Sequence, residues 1–331
     1  MTERPIDVLA MGNAIVDVIA DADEAFLAQH GMVKGAMQLI DEAEATRLYA
    51  AMGPGREASG GSAANTVAGM AALGCRTAFI GQLAEDQLGA IFRHDIGSLG
   101  VGFDTPALGG IGATARCLIL VTPDAQRTMN TYLGAAQRLG PDAVEEATVA
   151  AARIVYLEGY LWDPEEPRAA MRKAIALARS AGTRIAFTLS DSFVVERHRG
   201  DIDALIAAGE IDILFANEAE ALALTGAGDF DAAVASLAGR VPTAVVTRGE
   251  KGAVAVRGGH RAHVPAQDIE RLVDTTGAGD LFAAGFLTGE ARELGLDASL
   301  RIGAIAAAEV IQHYGARPEK DLRALAGSLL G

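Results

Sequence analysis

The sequence predicts an α/β protein built on a central, mostly parallel sheet with helices on both faces, plus a smaller β layer. Three observations predict it. In the second half of the chain short apolar runs alternate with longer amphipathic ones. Residues 154–157, 185–189, 211–215 and 244–247 read as strands, and 166–180, 194–208, 218–225 and 231–237 as helices. Such alternation places parallel strands between two helical layers. Hydrophobic residues make up 50% of the 331 positions, which supports a large folded core and excludes a disordered chain. Two strand-rich stretches, about 13–40 and 110–134, break the alternation and flank the glycines at 60 and 61. They read as pieces of one small sheet over a shared site, within a single domain spanning 1–331.

The elements follow in order. Residues 6–11 form an apolar run that ends at Gly12-Asn13. The next run, 14–20, carries Asp17 in its middle. A carboxylate inside a β-type run is costly unless it is satisfied or has a task. Residues 23–30 read as a helix stopped by Gly31, and 37–40 as a strand. Asp41 with Glu44 three residues on starts a helix through 51 in the manner of a capping box. Ala58-Ser59-Gly60-Gly61-Ser62-Ala63-Ala64-Asn65 is a glycine loop opening a helix that Gly74 stops. Residues 76–83 read as a strand and 86–99 as a helix. Residues 113–121 and 127–133 read as a hairpin about Pro123-Asp124, and 252–265 as another. The C-terminal stretch is helical, with a break at Gly315-Ala316-Arg317-Pro318.

Chemistry concentrates in Val273-Asp274-Thr275-Thr276-Gly277-Ala278-Gly279-Asp280, which runs straight into an apolar helix. A helix N-terminus leaves backbone N–H groups without internal partners, and its dipole adds partial positive charge. It is a ready anion site, and Gly277 and Gly279 let an anion approach the bare backbone. Asp280, in the same first turn, is a poor phosphate ligand because like charges repel. It fits a base that takes a proton from a hydroxyl while neighbouring N–H groups steady developing negative charge. An ordinary glycine turn with an acidic first turn is spelled the same way.

Asn217-Glu218-Ala219-Glu220 and Thr247-Arg248-Gly249-Glu250-Lys251-Gly252 each follow an apolar strand, at the edge where open α/β sheets place ligands. Helix capping by Asn217 is the plain alternative for the first of them. His260 and His263 have metal-like spacing but sit in a strand with no third ligand, and read as hairpin surface residues. The chain has no Gly-x-x-x-x-Gly-Lys-Ser/Thr loop and no Gly-x-Gly-x-x-Gly after the first strand. A P-loop enzyme and a Rossmann dehydrogenase are therefore set aside.

The net charge of −15 argues against nucleic acid or anionic membrane as partners. The first eight residues carry charges where a signal peptide needs an apolar core, and no apolar run is long enough to span a bilayer. A cytoplasmic protein is expected, with Cys75 and Cys117 as reduced structural thiols.

The four segments at 60–65, 217–220, 247–252 and 274–280, in this order and spacing, closely resemble the ribokinase-like (PfkB) small-molecule kinases over essentially the whole chain. Met11-Gly12-Asn13 with Asp17, and Leu157-Glu158-Gly159-Tyr160, look most like bacterial adenosine-kinase-type members. The resemblance implies a ribokinase-like fold whose small sheet is a lid formed by 13–40 and 110–134. It implies ATP-dependent transfer of the γ-phosphoryl to a primary hydroxyl of a ribose-bearing acceptor, foremost a purine nucleoside such as adenosine. A free-sugar kinase is the nearer alternative, and a nucleoside-binding protein without turnover the further one.

By the same resemblance Asp280 is the general base, and Gly277, Ala278 and Gly279 form the anion hole. Asn13, Asp17, Gly60, Gly61, Asn65 and Tyr160 form the acceptor site. Asn217 and Glu220 organise Mg²⁺ through water. Thr247, Gly249 and Gly252 line the ATP groove, with Ala308 and His313 near the adenine. Asp274 and Thr276 resemble ligands of a monovalent cation, K⁺. Arg116 in the lid approaches the phosphates. Met37, Leu39, Cys117 and Ile119 are expected to face the acceptor. The assembly is a monomer or a homodimer.

Overall fold

The computed structural model describes residues 4–124 and 126–330. Residues 1–3, Ala125 and Gly331 lie outside them. In chain order the strands are β1 (Ile6–Met11), β2 (Ile15–Asp21), β3 (Met37–Leu39), β4 (Gly55–Gly60), β5 (Thr77–Ile80), β6 (Val101–Gly102), β7 (Ala115–Val121), β8 (Arg127–Tyr132), β9 (Ala152–Glu158), β10 (Arg184–Thr188), β11 (Ile213–Asn217), β12 (Thr243–Thr247), β13 (Ala253–Arg257) and β14 (His260–Val264). The helices are α1 (Glu24–Gln29), α2 (Glu42–Ala51), α3 (Ser62–Ala72), α4 (Gln87–Ser98), α5 (Glu146–Ala151), α6 (Glu165–Ala181), α7 (Ser192–Ala207), α8 (Glu218–Thr225), α9 (Phe230–Ala238), α10 (Ala278–Ala291), α11 (Leu296–Val310) and α12 (Leu322–Ala326).

Among the described residues the large sheet has nine strands in the order β14-β13-β12-β11-β10-β9-β1-β5-β6. From β12 to β6 every neighbouring pair is parallel, while β13 and β14 add on antiparallel. This is the α/β arrangement that the alternation predicted. Its strands are near-continuous apolar runs because both faces are covered. Within β1, Val8 and Ala10 enter the core on one face, and Leu9 and Met11 the core on the other. That division is the period-2 side-chain alternation of a strand.

Among the described residues the small sheet has five strands in the order β3-β8-β7-β2-β4. It contains the two expected segments and, in addition, β4. The sequence there, Gly-Arg-Glu-Ala-Ser-Gly, has none of the apolar alternation that announces a strand. It becomes one by pairing antiparallel along β2, with Asp17 opposite Ala58 and Ile15 opposite Gly60. Strand β6, only two residues long, also escaped the sequence reading.

Helix α10 sits at the centre of the helical packing. A Cβ at Gly285 would stand 2.5 Å from the backbone N of Gly303, and one at Gly303 would stand 2.8 Å from the Phe282 carbonyl. A Cβ at Gly69 of α3 would meet the Leu281 side chain at 2.6 Å. α10 is therefore pressed backbone to backbone against α11, and its Leu281 side chain seats on the bare backbone of α3 at Gly69. Among the described residues no single helix is long and apolar enough to cross a membrane. Cys75 and Cys117 are buried free thiols.

Candidate active site

The base of the site is the start of α10. Its N-cap is Gly277, at φ 77, with no side-chain cap. The left-handed φ favours glycine, and a Cβ there would lie 2.5 Å from Ala316 Cβ. The first-turn amides are thus left without a side-chain acceptor. Asp280, half-buried in that turn, points at a second glycine-led helix start. Its Oδ1 accepts a bond from Ser62 Oγ at 2.6 Å, and its Oδ2 one from Asn65 Nδ2 at 2.9 Å. Both donors belong to the first turns of α3. Burial pushes the Asp280 carboxyl above its ordinary pKa, and the two hydrogen bonds and the charge of Arg317 pull it back. Asn65 Oδ1 is buried with no protein partner, so an acceptor is left over for a ligand.

Asp17 lies beside this pair, on β2. A Cβ at Gly60 would stand 2.4 Å from Asp17 Oδ2, so only glycine leaves room for the carboxylate. Burial raises the Asp17 pKa to about 6, opposed by Arg317 and then Arg127, and reinforced by Asp280 and Asp274. Gly61 sits at φ 98 and a Cβ on it would meet the Asn13 carbonyl at 2.2 Å. Asn13 is buried and held from below by Glu158. Asn13 Nδ2 and N donate to Glu158 Oε1 at 2.7 and 3.3 Å, and Ala63 N donates to Oε2 at 2.9 Å. One carboxylate at the end of β9 therefore ties the turn after β1 to α3. Burial raises its pKa to about 7 against those three bonds. The sequence signal for Glu158 was a carboxylate ending an apolar strand. Tyr160, two residues on, is 38% exposed.

Cys117 and Ile119 are buried on β7, paired with Asp17 and Ile19 of β2. Met37 and Leu39 are not there. They lie on edge strand β3, three strand spacings or about 14 Å from β2, and are 54% and 64% exposed. Arg116 is also misplaced by the sequence reading. Its Nη2 donates to Thr46 Oγ1 at 2.8 Å, and its guanidinium lies over Tyr49 and Tyr132. It precedes Cys117 on one strand, so it points to the opposite face. The small-sheet arginine that reaches the large body is Arg127, through a short, buried ion pair with Asp274. Asp274 Oδ2 also accepts from Gly315 N at 3.1 Å and Oδ1 from Thr276 N at 3.0 Å. All three partners of the Asp274 carboxylate are N–H donors, so a cation at Asp274 would have to compete with Arg127 for it.

At the strand ends, Asn217 of β11 is in register with Thr247 of β12. Asn217 and Glu220 close a capping box. Asn217 Oδ1 accepts from Glu220 N at 2.9 Å, and the two Glu220 oxygens accept from Asn217 N at 3.0 Å and Nδ2 at 2.6 Å. Glu220 is buried, and burial raises its pKa to about 7. Among the described residues no group of three or more His, Cys, Asp or Glu is placed to hold a metal. The capping box occupies the side chains of Asn217 and Glu220, so Mg²⁺ would come here as an ion carried by phosphates with its own water shell. Arg248 is pinned on the wall, donating to Glu218 at 3.1 Å and stacking on Phe230 at 3.7 Å. Gly249 is exposed, and Gly252 has a structural reason of its own, since a Cβ there would stand 2.0 Å from Val264 O. Ala308 is half-buried at the end of α11. His313, just beyond, is held by Glu309 Oε1 at 3.1 Å, an oxygen that also accepts from Glu319 N and Lys320 N.

A family model described as pfkB family carbohydrate kinase matches residues 36–322. The chain is 50% identical to adenosine kinase from Sinorhizobium meliloti, over 97% of this chain and 98% of that one, with a TM-score of 0.89. It is 47% identical to a probable sugar kinase protein from Rhizobium etli CFN 42, over 98% of both chains, with a TM-score of 0.90. A curated relative, the ATP-dependent ribose-1-phosphate kinase of Halopiger xanaduensis, is 32% identical over 70% of this chain and 73% of its own length.

Proposed function

The chain belongs to the pfkB family of carbohydrate kinases, ATP-dependent phosphotransferases with an alcohol acceptor, and on that premise we propose that it phosphorylates the 5′-hydroxyl of a purine nucleoside, adenosine foremost. The observation that carries this reading is the Asp280 carboxylate, held by Ser62 and Asn65 at an uncapped helix start and near enough to the half-buried Asp17 for the two charges to act on each other. Phosphoryl transfer asks for positioning and charge stabilisation more than covalent help. Asp17 accepts hydrogen bonds from ribose hydroxyls, with Asn13, Gly60, Gly61 and Asn65 shaping the pocket. Asp280 takes the hydroxyl proton as the acceptor oxygen bonds to the γ-phosphorus. The bond from that phosphorus to the β–γ bridging oxygen breaks, and ADP leaves. The amides at the start of α10 steady the charge on the transferred group, Gly277 and Gly279 directly and Ala278 only by giving up its 3.2 Å bond to the Thr275 carbonyl. Mg²⁺, when bound, screens the phosphate charges. The small sheet acts as a lid that keeps water from competing for the phosphoryl group.

A nucleoside is favoured over a free sugar by the 50% identical adenosine kinase and by the apolar Cys117 and Ile119 near Asp17, on which a flat base can pack. The sugar reading keeps its own support in the 47% identical probable sugar kinase. We propose K⁺ at Asp274 and Thr276 only for a state in which Arg127 has released Asp274, and no step depends on it. The test is an ATP-consumption screen over adenosine, 2′-deoxyadenosine, inosine, guanosine, ribose and fructose. Adenosine should give the highest kcat/KM, and 2′-deoxyadenosine less, because one Asp17 contact is lost. Efficient turnover of ribose or fructose with adenosine ignored replaces the nucleoside reading by the sugar one.

A further inference from the structure

In sequence, Gly315-Ala316-Arg317-Pro318 reads only as a break in the C-terminal helices. In the fold it delivers Arg317 between the two glycine-led helix starts. Arg317 Nη1 donates to the Ala64 carbonyl at 3.0 Å. Nη2 donates to the Ser59 carbonyl at 2.7 Å and to Ser59 Oγ at 3.0 Å. These anchors bracket the site. Ser59 precedes Gly60 and pairs with Val16, the neighbour of Asp17. Ala64 precedes Asn65, whose amide holds Asp280. Ser59 is fixed in turn by Asp95 of α4, whose Oδ2 accepts from Ser59 N at 2.8 Å and Oγ at 2.5 Å. Arg317 Nε is buried and has no protein partner. Carbonyl and hydroxyl acceptors neutralise none of the guanidinium charge, so a full positive charge remains between Asp17 and Asp280.

We propose that Arg317 is a positioning residue for the transfer: it fixes the corner from Ser59 to Ala64 and supplies the positive charge that lets Asp17 and Asp280 stand ionised side by side. The inference rests on the reading of Asp280 as base. Two carboxylates sharing a half-buried site repel, and without a counter-charge one of them retains its proton. A protonated Asp280 cannot take the acceptor's proton. Burial raises both carboxyls; the charge of Arg317 gives the largest opposing pull on Asp17, and on Asp280 it adds to the larger pull of the Ser62 and Asn65 hydrogen bonds. Its own guanidinium is lowered by burial to about 10 and so stays charged at neutral pH. The other charged groups facing the site are Arg127 and Asp274 on the Asp17 side, Glu158 beneath Asn13, and Asp95 behind Ser59. Of these only Arg127 is cationic, and Asp274 already pairs with it.

The test is the pH profile of kcat/KM for the best acceptor, measured on the full chain with Arg317→Met, Arg317→Lys and Asp280→Asn, alongside melting temperatures. Arg317→Met should move the acid limb up by about one pH unit and lower kcat/KM at pH 7 by ~10-fold. Arg317→Lys should hold the limb near its wild-type place while raising KM, because the charge survives and the fork is lost. A folded Arg317→Met with an unmoved acid limb overturns the proposal. If Arg317→Met does not fold, Arg317→Gln, which keeps a donor for Ser59 and drops the charge, must move the limb in the same way or the proposal fails. Failure of the base reading looks different: Asp280→Asn then keeps its turnover.

Discussion

Helices α8 and α10 carry a carboxylate at the same place, the third residue of the first turn, and they use it in opposite ways. In α8 the N-cap is Asn217, and Glu220 reaches back to the Asn217 backbone and amide while Asn217 accepts from Glu220 N. Its hydrogen bonds close on themselves. In α10 the N-cap is Gly277, which has no side chain to offer, and Asp280 turns away to Ser62 and Asn65 on another helix. On the proposed reading, the cap residue decides whether an acidic first turn is structural or chemical. An asparagine closes the terminus, and a glycine leaves its amides and its carboxylate available to a ligand.

The largest expected effect tests the open end. Asp280→Asn should lower kcat by ~10²–10⁴-fold with a melting temperature close to wild type. A variant that keeps more than about a third of wild-type kcat puts Asp280 in the same structural class as Glu220. The closed end should answer the other way. Asn217→Ala is expected to cost about 1 kcal/mol of stability in denaturant titrations and to leave kcat within about twofold. A large loss of kcat at unchanged stability would mean that Asn217 works on the nucleotide or its metal.

Glu220 sharpens the contrast through pH. Its folded value of about 7 lies above the ordinary 4.5. The folded state therefore holds a proton that the unfolded chain has lost, and stability falls as pH rises between those values. Glu220→Gln does not titrate, so its stability relative to wild type should climb from pH 5 to pH 8. A flat difference would show that the carboxyl is not held up by burial. The smallest effect concerns Asp274, just before the open end. While Arg127 occupies that carboxylate, exchanging K⁺ for Na⁺ or choline at fixed ionic strength should change activity by less than about twofold. A loss beyond about tenfold would mean that the cation displaces the arginine, a coupling above 1 kcal/mol.

Local chemistry was legible in the sequence, and distant pairing was not. Apolar alternation predicted the large sheet, and glycines beside polar residues marked both open helix starts. β4 was missed because Gly-Arg-Glu-Ala-Ser-Gly is a strand only beside β2. Glu158 was passed over as a site residue because its partners, Asn13 and Ala63, lie 145 and 95 positions away. Arg116 and Arg127 both lie in the hairpin, and only the phase of each strand tells which one leaves the small sheet. Arg127 finds Asp274 across 147 positions. Arg317 looked like part of a helix break because nothing nearby in sequence names the carboxylates on either side of it.

The glycine contacts of α10 carry a consequence for how such a protein changes over time. With Gly285 and Gly303 pressed backbone to backbone, and Gly69 against Leu281, the helix that carries Asp280 has no slack along its length. It is a fixed gauge, and a side chain added at those seats would shift it bodily. Asp17 and Gly60 ride instead on β2 and β4, at the border of the separate small sheet. That half is the exchangeable fixture. A lineage that alters its acceptor can rewrite β2, β4 and β7 while the gauge stays where it is, so substitutions that retune specificity should gather on the small sheet and spare the three glycine seats.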